Sequence, residues 1–393
     1  MPSSYIIAAR RTPIGKLLGS LSSIPAPKLA AFAMRAALAD CGLPPEQVDE
    51  VILGHVLAAG VGQAPARQAM LAAGIPPAAS ALAINKVCGS GLKAVMLADQ
   101  AIRAGDARLV VAGGMESMSQ APYLLAGGRG GWKFGHQQLV DSLLHDGLWC
   151  ASENTGMVSL ADATATQCQI SREDQDAYAV ASHSRATAAQ GAGKFRGEIV
   201  PVAVRSGKTE ILVEQDEGPR AGCTLADLAK LRPAASATGT ATAGNASQIS
   251  DGAAVLVVAT EPIAREVPSP IKARIMATAT SDLAPKDLFI APISAIQKVL
   301  TKAGLSVSEI DLFELNEAFA AQALACARPL AINHEQLNVH GGAIALGHPI
   351  GASGARVLVT LLHALADRGL RRGLAALCLG GGGAVAMIVE RAT

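Results

Sequence analysis

Ala37-Leu38-Ala39-Asp40-Cys41-Gly42-Leu43, followed by Val48-Asp49-Glu50-Val51-Ile52-Leu53-Gly54, has a near copy late in the chain. The copy is Val299-Leu300-Thr301-Lys302-Ala303-Gly304-Leu305, then Ile310-Asp311-Leu312-Phe313-Glu314-Leu315-Asn316, at an offset of 262 residues. Each reads as a helix ended by glycine, a short loop and a buried strand. Gly89-Ser90-Gly91 matches Gly351-Ala352-Ser353-Gly354 at an offset of 263, and both open an apolar helical stretch. Residues 109–114 match 376–381 at an offset of 267, as apolar strands ending in glycine. Three matches in one order at nearly one offset predict a duplicated unit. The period is far too long for a solenoid, so the expected class is α/β, with two homologous halves in which helices cover a sheet.

Residues 115–254 have no counterpart in the second half. They hold the glycine-rich Ala126-Gly127-Gly128-Arg129-Gly130-Gly131, a helical stretch over 172–189 and the turn Asp216-Glu217-Gly218-Pro219-Arg220. Such a segment suits an inserted loop domain that covers a site. The expected division is residues 1–118 with 249–270 as the first half, 119–248 as the insert and 271–393 as the second half.

Composition narrows the function. With 393 residues, 50% of them hydrophobic, the chain can bury large cores. A net charge of +1 and only 17% charged residues leave no broad footprint for nucleic acid or an anionic membrane. Aromatics at 3% speak against base-stacking platforms. The seven cysteines are widely spaced, with no C-x-x-C and no Cys/His cluster at zinc-ligand spacing, so neither a disulfide framework nor a structural metal is expected. Residues 1–16 lack the apolar stretch of a signal peptide, no apolar run reaches the roughly 18 residues of a membrane span, and Glu390-Arg391-Ala392-Thr393 is no peroxisomal address. A cytoplasmic protein is expected.

Four islands carry chemistry. Cys88, in Val87-Cys88-Gly89-Ser90-Gly91, precedes the helix former Leu92-Lys93-Ala94-Val95-Met96-Leu97-Ala98. A helix N-terminus there would lower its thiol below the usual value of about 8.5 and favour a nucleophile. His348, between Gly347 and Pro349, sits in a loop where an imidazole could take the proton of Cys88. Cys378 ends the apolar run 374–377 just before Gly380-Gly381-Gly382-Gly383, where a second thiol could act as a base and a glycine N–H could bind an oxyanion. Asn316 lies at a strand-to-helix junction, with a helix expected from about Glu317. Singly, each residue has an ordinary reading: a buried turn cysteine, a hydrogen-bonding loop histidine, a strand-end cysteine, an N-cap asparagine. Together they suit carbon–carbon bond chemistry on a thioester.

Over essentially its whole length the chain resembles the thiolases, and among them the acetyl-CoA acetyltransferase branch. The four islands carry the resemblance, with Ala8-Ala9-Arg10-Arg11-Thr12-Pro13-Ile14-Gly15, Ala112-Gly113-Gly114-Met115-Glu116-Ser117-Met118-Ser119, Thr242-Ala243-Gly244-Asn245-Ala246-Ser247 and Asn338-Val339-His340-Gly341-Gly342-Ala343 in support. It implies a thiolase fold, two duplicated αβ halves forming a five-layer αβαβα core with an inserted loop domain. It implies that Cys88 carries the acyl group, that His348 activates it and that Cys378 removes the α-proton of a second acetyl-CoA. Enolate oxygen would be held by His348 and a water on Asn316, with the N–H groups of Cys88 and Gly380 stabilising the tetrahedral intermediate. Ser247 would touch the pantetheine arm, Arg220 the nucleotide end, and Leu148, Met157, Ala318 and Phe319 would line the pocket. Coenzyme A is substrate and product, no other cofactor is implied, and residues 130–144 resemble a loop that assembles tetramers.

Three positions depart from that branch. Gly156 stands where a histidine is usual, Ala235 where a phenylalanine is usual, and Leu288-Phe289-Ile290-Ala291-Pro292 replaces a small, glycine-rich turn. They point to altered acyl selectivity. The nearest rival reading is a degradative 3-ketoacyl-CoA or 3-oxoadipyl-CoA thiolase, which uses the same four groups on longer substrates. A non-catalytic acyl-CoA-binding relative would be free to lose those groups, and all four are present.

Overall fold

The computed structural model describes residues 3–207 and 209–392. Nine strands build one sheet, joined at its margin by the two-residue strand Gly15–Lys16. They are β1 (Ser4–Arg11), β2 (Glu50–Gly54), β3 (Ser80–Ile84), β4 (Leu109–Ser117), β5 (Ser250–Thr260), β6 (Ala273–Asp282), β7 (Leu312–Leu315), β8 (Arg372–Leu379) and β9 (Gly383–Arg391). The first five run β3-β2-β4-β5-β1 and the last four β7-β8-β9-β6, so one order is used twice. Where the second half lacks a partner for β3, a single parallel bridge between Phe313 and Leu337 takes its place. The halves meet where β1 pairs with β6, through Tyr5 opposite Arg274 and Ile6 opposite Ala273.

Helices complete the layers. Those of eight residues or more among the described residues are α1 (Ala26–Cys41), α2 (Pro65–Ala72), α3 (Ser90–Ala104), α4 (Met157–Gln167), α5 (Arg172–Gly191), α6 (Ala291–Ala303), α7 (Ala320–Ala327) and α8 (Ile350–Asp367). The glycine stops hold, since α1 ends at Gly42 and α6 at Gly304 with φ of +62° and +67°, a conformation only glycine adopts cheaply. α1 and α2 cover one face of the first half, α6 covers the outer face of the second, and α3 and α8 pack on each other between the two halves. The result is α, β, α, β, α, with one apolar core in the centre and one under each outer layer. With helices on both faces, β5 and β9 are buried at nearly every residue, which is why they read as unbroken apolar runs rather than alternating ones. α8, the one helix among the described residues long and apolar enough to cross a membrane, is a core helix of the central layer.

Residues 118–249 leave the sheet at the end of β4 and return into its antiparallel neighbour β5. A buried cation ties them to the core. Arg11 of β1 donates from Nε to Glu198 at 2.6 Å and from Nη1 and Nη2 to Asp216 at 2.7 and 2.9 Å. Thr360 of α8 donates to the same Glu198 at 3.2 Å, so both halves and the insert share one ion cluster. α3 begins at Ser90, within the glycine-rich stretch expected to open it. One helix start differs from expectation: the helix expected from about Glu317 begins only at Ala320, because Glu317 turns inward to a set of donors described below.

The central layer has no room between its helices. A Cβ on Gly354 of α8 would lie 2.3 Å from the backbone nitrogen of Leu92, and one on Gly91 of α3 would lie 2.7 Å from that of Ala355. Gly354→Ala must therefore push the two helices apart. We expect a loss of about 1–3 kcal/mol in urea unfolding, and an unchanged midpoint would show that the helices can part without cost.

Candidate active site

The loop from β3 to α3 is built to lift Cys88 out of the sheet. Val87 has φ +47°, a left-handed conformation that is a genuine outlier for a β-branched residue. Neighbours hold it there. Asn85 Oδ1 accepts the Val87 N–H at 2.9 Å, while Ser90 Oγ accepts the Lys86 N–H at 2.8 Å and donates to the Val87 carbonyl at 2.6 Å. Cys88 then stands just ahead of the first turn of α3.

His348 arrives from the other half, on the loop that opens α8. Its own N–H donates to the Gln248 carbonyl at 2.9 Å, and Gly347 before it has φ +113°. Nδ1 lies 2.5 Å from Ser353 Oγ, and that hydroxyl donates to the Pro349 carbonyl at 2.8 Å. A hydroxyl that spends its proton on a carbonyl accepts from Nδ1–H, which leaves Nε2 as the free base. Burial, reinforced by the charge of Arg356, pulls the imidazole down to about 4, so it is neutral and able to accept a proton through the physiological range.

Cys378 is the penultimate residue of β8 and is buried. Its thiol is held well above the ordinary value, first by burial and then by Cys88 and Cys326. Cys88 is likewise pushed up to about 12 by burial, against the backbone N–H groups of Gly380 and of Cys88 itself, which point at its sulfur. The depressed thiol expected from the helix N-terminus is thus reversed. The pull of a few N–H dipoles is smaller than the cost of a thiolate on an apolar wall.

These groups share one cavity of about 230 Å³. Cys88, His348, Cys378 and Gly380 line it, as do Ser247, Leu148, Met157, Ala318 and Phe319. Asn316 and Arg220 do not. Asn316 is fully buried behind the wall. Its N–H donates to the Ala376 carbonyl at 3.0 Å, and neither atom of its side-chain amide has a partner among the described residues. Arg220 is exposed, with its N–H donating to His183 Nδ1 at 3.2 Å. Of the three departures, Gly156 and Phe289 line the cavity, whereas Ala235 lines a separate groove with Arg232, Pro233 and Ala234.

Two buried carboxylates to which the sequence reading gave no role hold the loops around the cavity. Glu116 accepts N–H bonds from Val56 and Leu57 at 3.1 Å each and from Gly351 at 2.8 Å, and so fixes the first turn of α8 just beyond His348. Burial lifts it to about 7 despite these donors. Glu317 accepts from Ser182 Oγ at 2.7 Å, Tyr178 Oη at 3.1 Å, Asn338 Nδ2 at 2.9 Å and the Ile344 N–H at 3.1 Å. It locks the 316–319 loop to α5 of the insert. The available signal was an acidic residue inside or next to an apolar strand, which must find donors once buried.

A thiol beside a neutral imidazole can attack a carbonyl carbon and keep the acyl group. A second thiol in the same apolar cavity can exchange a proton with the carbon next to a carbonyl, and N–H groups aimed at the first sulfur can hold the oxyanion formed there.

Comparison with known proteins agrees with this chemistry. Residues 4–262 match the family model "Thiolase, N-terminal domain" and residues 269–391 match "Thiolase, C-terminal domain". An acetyl-CoA acetyltransferase of Pseudomonas aeruginosa is 51% identical over 392 residues, covering 100% of both chains. One of Cupriavidus necator is 49% identical over 392 residues, again with 100% of both chains covered. The crystal structure of the Bacillus anthracis acetyl-CoA acetyltransferase superposes with a TM-score of 0.97 at 40% identity, covering 99% of each chain.

The raised thiol has a direct readout. Because the Cys88 thiol sits at about 12, its thiolate is a minor species at every pH below that. Alkylation of Cys88 by iodoacetamide, with Cys88→Ser as control, should therefore rise about tenfold per pH unit from pH 6 to 9. A plateau near neutral pH would mean that the resting residue is already a thiolate.

Proposed function

The chain belongs to the thiolase family, and we propose that it is an acetyl-CoA C-acetyltransferase, condensing two acetyl-CoA to acetoacetyl-CoA and CoA and running thiolysis in reverse. The observation that carries the reading is one apolar cavity lined by Cys88, His348 and Cys378, with N–H groups directed at the Cys88 sulfur. Full-length identity of about half to acetyl-CoA acetyltransferases supports the substrate.

Thiolysis follows from the protonation states. Cys88 Sγ attacks the 3-keto carbon of acetoacetyl-CoA while its proton passes to His348 Nε2. The C2–C3 bond then breaks, leaving an acetyl thioester on Cys88 and the enolate of acetyl-CoA. Cys378, whose burial keeps it a thiol, gives that enolate its proton. The Cys378 thiolate next takes the proton of incoming CoA, whose sulfur attacks the acetyl thioester, and Cys88 leaves with the proton held by His348. Each proton returns to its source, and condensation is the reverse. The N–H groups of Cys88 and Gly380 hold the tetrahedral oxyanion. Asn316 offers an unpartnered amide for a water that, with His348, binds the enolate oxygen.

Coenzyme A is the carrier in this reading, and no resident metal or redox cofactor takes part. Leu148, Met157, Ala318 and Phe319 form the walls, Ser247 meets the pantetheine arm, and exposed Arg220 meets the nucleotide end. Assembly is a homotetramer in the cytoplasm, and exposed Trp132, Phe134 and Leu139 in the 130–144 loop supply an apolar face for it.

Steady-state thiolysis tests the assignment on 3-ketoacyl-CoA substrates from C4 upward. We expect C4 to be cleaved best, Cys88→Ala to be inactive, and Cys378→Ala to lose about 10²–10⁴ in kcat. Mass spectrometry should still find acetyl on Cys88 in Cys378→Ala incubated with acetyl-CoA. Preference for longer chains would move the assignment to degradation, and absence of the acetyl adduct would remove the acyl-enzyme.

A further inference from the structure

One side of α8 carries a polar stripe through the central layer. Ser353, Arg356 and Thr360 recur at i, i+3 and i+7, and all three are buried. Ser353 holds His348 at Nδ1, and Thr360 donates to Glu198. Arg356, between them, is only half engaged. Its Nη1 donates to Glu314 Oε2 at 3.3 Å, while Nε and Nη2 have no partner among the described residues. Strand β7 faces this stripe. It alternates, sending Phe313 and Leu315 into the outer core and Leu312 into the central one. The parallel ladder with β8 continues through the Asn316 N–H, which donates to Ala376, so Asn316 points the same way as Leu312 and Glu314. Glu314 Oε1 and both atoms of the Asn316 amide are also without partners among the described residues. Residues two apart on a strand lie about 6.6 Å apart, too far for a direct bond but within the span of one bridging water. Ordered water is what ordinarily satisfies polar groups this deep.

We propose that Arg356 and Glu314 are positioning residues that hold a buried water site against Asn316 and fix which way its amide faces. The inference rests on the acyltransferase reading above and gives a task to a pair that reading leaves unused. An enolate oxygen only accepts, so the water that binds it must donate. Asn316 strengthens that donor when Nδ2 gives the water a hydrogen bond, and weakens it when Oδ1 takes one. Arg356 decides between the two. Its free N–H groups lie on the inner side of Asn316, and through water they call for an acceptor, which draws Oδ1 inward beside Glu314 and leaves Nδ2 for the cavity. Without those donors the amide is free to turn over.

Two reactions of the full-length protein separate this task from a merely structural one. Thiolysis of acetoacetyl-CoA passes through the enolate, whereas acetyl exchange between acetyl-CoA and labelled CoA needs only the Cys88 thioester. Arg356→Lys keeps the charge beside Glu314 and gives up the planar fork of donors. It should lower kcat for thiolysis by about 10–10²-fold, less than the loss of about 10²–10³ on removing an oxyanion donor outright, with acetyl exchange near the wild-type rate. Arg356→Met combined with Glu314→Leu removes both halves of the buried pair, guards against a folding failure, and should show the same selective loss. In an Asn316→Ala background, Arg356→Lys should cost thiolysis nothing further, because its effect runs through that amide. Equal losses in the two reactions, losses that multiply in the Asn316→Ala background, or thiolysis unchanged by either variant overturns the proposal and leaves the acyltransferase reading intact. A wild type active in neither reaction overturns both.

Discussion

Everything at this site depends on how closely α3 and α8 approach. Cys88 precedes one helix and His348 the other, and the helices belong to halves of the chain about 260 residues apart. They meet backbone to backbone through Gly91 and Gly354, and Gly114 within β4 extends the contact. A Cβ at Gly114 would lie 2.0 Å from the carbonyl oxygen of Gly351. Side chains in these places would hold the two loops apart and leave each residue with its ordinary role. Glycine here provides proximity, and the proposed reaction needs that proximity for a turn cysteine to act as nucleophile and a loop histidine as base.

Burial sets the electrostatic character of the cavity. It raises both thiols and lowers the imidazole, so the three groups rest without charge. A neutral resting site avoids the cost of isolated ions in an apolar cavity, and charge develops only when a carbonyl is present to receive the sulfur. The acidic and basic side chains stand one layer back. Glu116 and Glu317 spend their oxygens on backbone and hydroxyl donors, and Arg11 joins both halves to the insert through Glu198 and Asp216. Loop geometry is thereby over-determined by hydrogen bonds, and Asn85 and Ser90 sustain the left-handed Val87 in the same way.

The repeat was readable because its signals are local. Glycine after α1 and α6 stops each helix by its backbone freedom, and the apolar runs of β4 and β8 report strands covered on both faces. The residues that line the cavity were readable for the same reason, since Cys88, His348 and Cys378 each sit beside glycine at an element end. Asn316 was named correctly as a junction residue, yet its helix was started three residues early, because Glu317 is drawn to Tyr178 and Ser182, more than 130 positions away. The sign of the Cys88 shift was missed for a related reason. A helix N-terminus is visible in a sequence, but the apolar wall that outweighs it comes from Met118, Leu148 and Ile350, which lie on three separate segments.

By itself, then, the sequence determined which cysteines and histidine line the cavity and that the fold is built twice, because glycine stops, apolar periodicity and the turn around Cys88 are properties of a few adjacent residues. Only the tertiary structure decided the protonation states and the part played by Glu116 and Glu317. Desolvation, hydrogen-bond satisfaction and shape are sums over neighbours in space. The neighbours that matter here were brought together by two helices packing through glycine, and no local pattern contains them.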